Sequence, residues 1–178
     1  MEQKRGVIMN NREESIKRLE NTKYAIYQSL KRLREALNHS NEKDIYMELG
    51  NTLLWFMHAD EWLKLTEPDV YWKRRNDNKD GKLLNGLRHA YNLIKHDSNC
   101  IKSHETNVEP NFSFQLEITE EGIEFGIITF VWAENLEFPG DSDYQRKIYH
   151  KQLVGKEIIK AFEITLPFLE KEMQKYFT

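Results

Sequence analysis

Two long apolar stripes in the N-terminal half constrain this chain more than any other feature. Ile16, Leu19, Ile26, Leu30, Leu33 and Leu37 recur at three- and four-residue steps through residues 12–38, with Lys23 standing where one apolar residue would fall. Ile45, Leu49, Leu53, Phe56, Ala59 and Leu63 keep the same spacing through residues 42–66, and Trp55 and Trp62 widen that stripe. Such spacing puts the side chains on one face of an α-helix. A period near 3.5 sustained over this length suits packing along a bundle or coiled-coil seam. His39-Ser40-Asn41 separates the two helices, and Ser40 or Asn41 is the expected N-cap of the second. Asn10 or Asn11 is the expected cap of the first, with Glu13 and Glu14 in its first turn complementing the helix dipole. Residues 1–10 read as a frayed arm. Gly50, inside the second helix, costs about 1 kcal/mol against alanine and marks a site of close packing. Pro68 ends that helix.

The remainder of the chain continues the pattern with one interruption. Residues 67–82 read as a polar connection. Leu83, Leu84, Leu87, Ala90, Tyr91 and Ile94 then define a third helix, residues 80–98. Residues 99–111 read as loop. After Pro110 the period changes to two: Phe112, Phe114, Leu116 and Ile118 alternate with polar residues, Thr119-Glu120-Glu121-Gly122 forms a turn, and alternation resumes from Ile123 to Trp132. That is a β-hairpin over residues 112–133. An isolated hairpin is marginal in water, so it needs the helices or a partner chain to lie on. After a loop containing Pro139-Gly140, Ile148, Val154, Ile158, Ile159, Phe162, Leu166 and Leu169 define a last helix, residues 142–176, with Pro167 expected to kink it. The fold class is therefore mainly α: an up-and-down bundle of four long helices with a β-hairpin inserted before the last, in one domain spanning residues 1–178.

Composition narrows the functional classes. A net charge of −3 offers no global attraction to phosphate, so nucleic-acid binding requires a local patch. A single cysteine, Cys100, permits neither an intrachain disulfide nor a CxxC zinc site and fits a reducing compartment. No apolar run reaches the ~18 residues of a membrane span, and the first residues lack a signal-peptide core. The expectation is a cytoplasmic protein without a membrane segment. His58, His89, His96, His104 and His150 are scattered over several elements, without a paired spacing on one helix, so no metal and no cofactor are expected. Gly81 and Gly86 make no phosphate-binding loop.

Two groups carry chemistry. In residues 85–97, Asn-Gly-Leu-Arg-His-Ala-Tyr-Asn-Leu-Ile-Lys-His-Asp, the side chains Arg88, Asn92 and His96 fall four residues apart. At ~100° per residue they form a polar stripe two turns long, able to hold a phosphate or move a proton, or simply to face solvent. In the polar connection, Lys73, Arg74 and Arg75 are the densest positive charge in the chain, with Tyr71 and Trp72 beside them. Basic residues interleaved with aromatics grip single-stranded nucleic acid by charge and stacking; the alternative is a loop whose aromatics dock on the bundle. Asp60 and Glu61 are expected on a solvated face, from which they would otherwise orient an imidazole. Tyr91 reads as core or interface.

The helix Gly-Leu-Arg-His-Ala-Tyr-Asn-Leu-Ile-Lys-His resembles the signature helix of HEPN-type domains, helical bundles that usually dimerise and that include RNases of toxin–antitoxin and anti-phage systems. Val131-Trp132 and the stretch from Tyr149 to Gly155 are similar to features of an uncharacterised bacterial branch, so the resemblance covers about residues 85–169. It implies a homodimer acting on RNA, with an antitoxin or another protein as partner. Where active, such a domain is a metal-independent endoribonuclease. His96 would act as acid or base and an arginine would steady the phosphate charge. Asn92 and His96 match the motif, whereas Tyr91 stands where its arginine is expected. Arg88, two turns from His96, is the substitute cation, which makes the motif degenerate. The alternative function is a non-enzymatic homodimeric assembly or protein-interaction module in which the same helix serves as the interface. An RNA-directed site needs Arg88 and His96 exposed in a positive cleft; the assembly reading expects them ion-paired or buried.

Overall fold

The computed structural model describes residues 12–95, 101–107, 115–119, 122–134 and 142–177. Among these residues the chain forms helices α1 (Arg12–Asn38), α2 (Glu42–Thr66), α3 (Pro68–Asp77) and α4 (Lys79–Ile94), strands β1 (Ile101–Asn107), β2 (Gln115–Thr119) and β3 (Gly122–Trp132), and helices α5 (Asp143–Gln152) and α6 (Ile158–Gln174). The mainly helical bundle with an inserted hairpin is the architecture observed. The expected caps at Asn10 and Asn11, the N-terminal arm, the first residues of the hairpin, the centre of its turn, the Pro139-Gly140 loop, Cys100 and His96 lie outside the described residues.

The two long helices begin and end where the apolar stripes do. Leu19, Ile26, Leu30 and Leu33 of α1 pack on Ile45, Leu49, Leu53 and Phe56 of α2, all fully buried. Asn41 caps α2, its side chain accepting from the amides of Lys43 and Asp44 at 3.1 and 3.4 Å. Lys23 stands on the α1 seam because it has an ionic partner there: its ammonium lies 3.2 Å from Glu170 of α6.

Three features differ from the sequence expectation. The segment read as a polar connection is mostly α3. Pro68 ends α2 and also opens α3, since its fixed φ and missing N–H suit the first helical position. Asn78 then closes α3 and caps α4, its side chain accepting from the amides of Asp80 and Gly81 at 2.8 and 2.9 Å. Second, the hairpin gains a third strand. β3 is central, pairing antiparallel with β2 from Thr119↔Gly122 and with β1 from Ile101↔Trp132. β1 falls in the segment read as loop because Ile-Lys-Ser-His-Glu-Thr-Asn lacks the alternation of a strand with one buried face, a composition suited to a sheet edge.

Third, the last helix is broken at residues 153–157, not at Pro167. β3 causes the break: the Trp132 amide donates to the Lys156 carbonyl at 3.1 Å, and the Gly155 amide donates to the Trp132 carbonyl at 3.0 Å. Gly155 reaches this geometry with φ +72°, which only glycine adopts cheaply. α6 runs through Pro167, an exposed residue on the outer face of the helix.

The corner between α3 and α4 has no slack. A Cβ on Gly81 would lie 2.7 Å from the Arg75 carbonyl oxygen and 3.0 Å from Phe168 Cζ. Alanine would gain about 1 kcal/mol of helix propensity, while forcing a backbone shift costs about 1–3 kcal/mol. Backbone atoms cannot swing aside, so the second effect wins. Gly81→Ala is expected to lower the urea midpoint; a midpoint equal to or above that of the parent would refute the clash.

Candidate functional site

α2 carries Asp60 inward because it falls between Phe56 and Leu63 on the helix's apolar stripe. The expectation of a solvated Asp60 is therefore corrected: it is 1% exposed and surrounded by donors. From α3, one turn apart, come Tyr71 and Arg75. The Tyr71 hydroxyl donates to Asp60 Oδ1 at 2.8 Å, and Arg75 Nη1 donates to Oδ1 and Oδ2 at 3.0 and 2.7 Å. From α4 comes Arg88, whose Nη2 lies 3.4 Å from Asp60 Oδ2 while Nη1 donates to Glu61 Oε1 at 2.5 Å. Asn85, one turn before Arg88, accepts from Arg75 Nη2 and donates through Nδ2 to Asn76 at 3.2 Å. One buried carboxylate thus faces two guanidinium groups, and Glu61 on the surface balances the second. Burial, and then the Asp60 charge and hydrogen bond, push the Tyr71 phenol well above its ordinary pKa, so it remains a donor.

The basic cluster Lys73-Arg74-Arg75 does not form one free cationic patch. Arg75 is buried on Asp60. Arg74 turns the other way, toward α6, donating to Glu172 at 2.9 Å through Nε and to Glu67 at 2.7 Å through Nη2. Lys73 alone is exposed. Three consecutive residues on a helix are spread over about 200°, so their charges cannot point in one direction. Tyr71 is likewise buried, whereas Trp72 is 54% exposed.

Of the stripe on α4, Arg88 is mostly buried and ion-paired, and Asn92 is half-buried one turn further. His96 lies outside the described residues; α4 ends at Ile94, whose carbonyl accepts from the Tyr46 hydroxyl at 2.8 Å. Tyr91 is half-buried with the Lys95 ammonium 3.8 Å from its ring centroid. The structure therefore joins Arg88 to Arg75, which sequence placed in separate groups, through Asp60. A carboxylate on an apolar stripe was the available signal, since such a group demands a cation from elsewhere in the fold.

Above this network lies a cleft of about 450 Å³ between α2, α3, α4 and the start of α5, with Lys64, Trp72, Arg88 and Tyr144 in its walls. Its lining holds Lys64, Arg75 and Arg88 against Asp60 and Glu61, so the balance is cationic. Of the histidines considered as ligands, only His58, His89 and His150 have side chains among the described residues. His58 meets the edge of Trp55 at 5.7 Å, His89 lies against Tyr149 and His150, and no cluster of three His, Cys, Asp or Glu forms among the described residues. No helix among them is long and apolar enough to cross a membrane. No family model, curated protein or solved structure matches this chain.

Proposed function

We propose that this protein is an RNA-directed, HEPN-like module that binds RNA through the α4 face and the cleft beside it. The observation that carries the reading is the position of Arg88, at a cleft in which cations outnumber carboxylates, with one arm of its guanidinium held only by the exposed Glu61. A phosphate oxygen would exchange for that carboxylate at small cost, since surface ion pairs contribute about 0–1 kcal/mol. Arg88 then neutralises phosphate, Asn92 hydrogen-bonds the backbone, and His96 moves the proton if the RNA is cut. Lys73 adds a peripheral charge. In this role the protein acts in the cytoplasm as a homodimer, with an antitoxin or another protein as regulator.

The same ion pair favours a second reading. Arg88 is engaged by Asp60 and Glu61, as a homodimeric assembly or protein-interaction module predicts. Incubation of a pool of structured RNAs with the purified protein and with His96→Ala, metals chelated, separates the two. Cleavage by the parent and at least about 100-fold less by the variant is expected if His96 is the general acid or base. A folded protein that neither binds nor cuts RNA would leave the assembly reading.

A further inference from the structure

We propose that the cleft above Asp60 is a stacking site for single-stranded RNA, with Trp72 and Tyr144 as base-stacking rings and Lys64 and Arg88 as phosphate contacts. This assignment rests on the RNA-directed reading and specifies its ligand class. Trp72 and Tyr144 come from helices far apart in sequence, yet both line one cleft, and both are about half exposed, at 54% and 47%. Two exposed rings lining one polar cleft offer faces on which a flat aromatic ligand can stack.

Both rings are mounted on anchored backbone. The neighbours of Trp72 on α3, Tyr71 and Arg75, are fixed to Asp60, so α3 cannot rotate and Trp72 is held at the cleft. Tyr144 lies in the first turn of α5, where the Ser142 hydroxyl accepts from the Gln145 amide at 3.2 Å. Rings on anchored backbone lose less entropy when a ligand binds than rings on a mobile segment would. An aromatic face stacks on any base, which gives affinity without sequence preference. Bases in a duplex are already stacked on one another, so only unpaired nucleotides offer their faces. Gln145, also in the lining, presents an amide suited to base edges, whereas the Asn76 amide is already bonded to Asn85 and to the Trp72 carbonyl. Glu61, with its side chain 59% exposed, competes with phosphate for Arg88. Asp60 stays bonded to the buried Arg75 and keeps the floor in place.

The test is fluorescence anisotropy of a labelled single-stranded oligoadenylate and of a labelled RNA duplex, at low salt, with the parent protein and four variants. Trp72→Ala and Tyr144→Ala are each expected to weaken single-strand binding about 5- to 10-fold, the low end for a stacked base. Trp72→Phe is expected to restore most of the loss. Glu61→Gln is expected to tighten binding by removing the competing carboxylate. All three sites are solvent-facing, and unchanged urea midpoints confirm intact folding. If the parent binds single strands and the Trp72→Ala and Tyr144→Ala variants bind equally well, the stacking site is overturned while the RNA reading stands. Preference for the duplex also overturns it. Failure of the parent to bind either RNA overturns both.

Discussion

Replacing Asp60 by alanine is expected to destabilise the fold by about 3–5 kcal/mol, the range for removing one partner of a buried ion pair. The loss does not come from the attraction between Asp60 and Arg75 alone, because that attraction is offset by the desolvation of both groups. It comes from what remains. The Arg75 side chain is 9% exposed and would be left buried with only Asn85 as a partner, while the Tyr71 hydroxyl loses its acceptor. Arg75 Nε already has no hydrogen-bond partner among the described residues, which leaves the guanidinium no reserve. For a domain of ordinary stability, about 5–15 kcal/mol, this is a large fraction. The comparison is the triple variant Asp60→Leu, Arg75→Met, Tyr71→Phe, which removes the two most buried donors with their acceptor, leaves Arg88 on Glu61, and is expected to recover most of the loss. Urea unfolding of the set decides. A single Asp60→Ala loss below about 1 kcal/mol would mean the hub is wetter than its burial implies.

The second large effect is expected at Trp132, where the sheet meets the helices. Its ring is 1% exposed and packs on Tyr149 and Phe162 with centroids 6.2 and 6.1 Å away, while its backbone amide and carbonyl hold the break between α5 and α6. Trp132→Ala empties that volume and is expected to cost about 3–5 kcal/mol. Trp132→Phe should cost less than half of that. The indole Nε1–H has no partner among the described residues, so phenylalanine removes an unsatisfied donor while keeping an aromatic ring against Tyr149 and Phe162. Equal losses in the two variants would show that the indole donor is satisfied after all. Denaturant unfolding followed by far-UV and near-UV circular dichroism measures both the stability and the persistence of the sheet–helix joint.

These two residues illustrate different degrees of legibility. Trp132 stands at the end of a visible period-two pattern, so its strand was readable, but nothing local announced that its backbone would pair with residues 154–157 and break the following helix. Asp60 was visible as a residue and misread as solvated. Its position on the α2 stripe marked it for burial, yet its partners lie on α3 and α4, and α3 itself was hidden under a run of charges. The cleft was legible in part: Arg88, singled out on the third helix, lines it, Tyr144 lines it without having been singled out, and Arg74 and Arg75 turn to separate carboxylates instead of sharing one surface.

The sequence by itself determined the helical bundle, the bounds of α1 and α2, and the β2–β3 hairpin. Those features follow from side-chain periodicity and caps, which act between residues a few positions apart. Only the tertiary structure decided which polar side chains are buried together, where the last helix breaks, and that β1 pairs at all. Each of these depends on a partner from a distant segment. A polar edge strand forms because β3 offers it hydrogen bonds, and a carboxylate enters the core because two guanidinium groups from other helices meet it there.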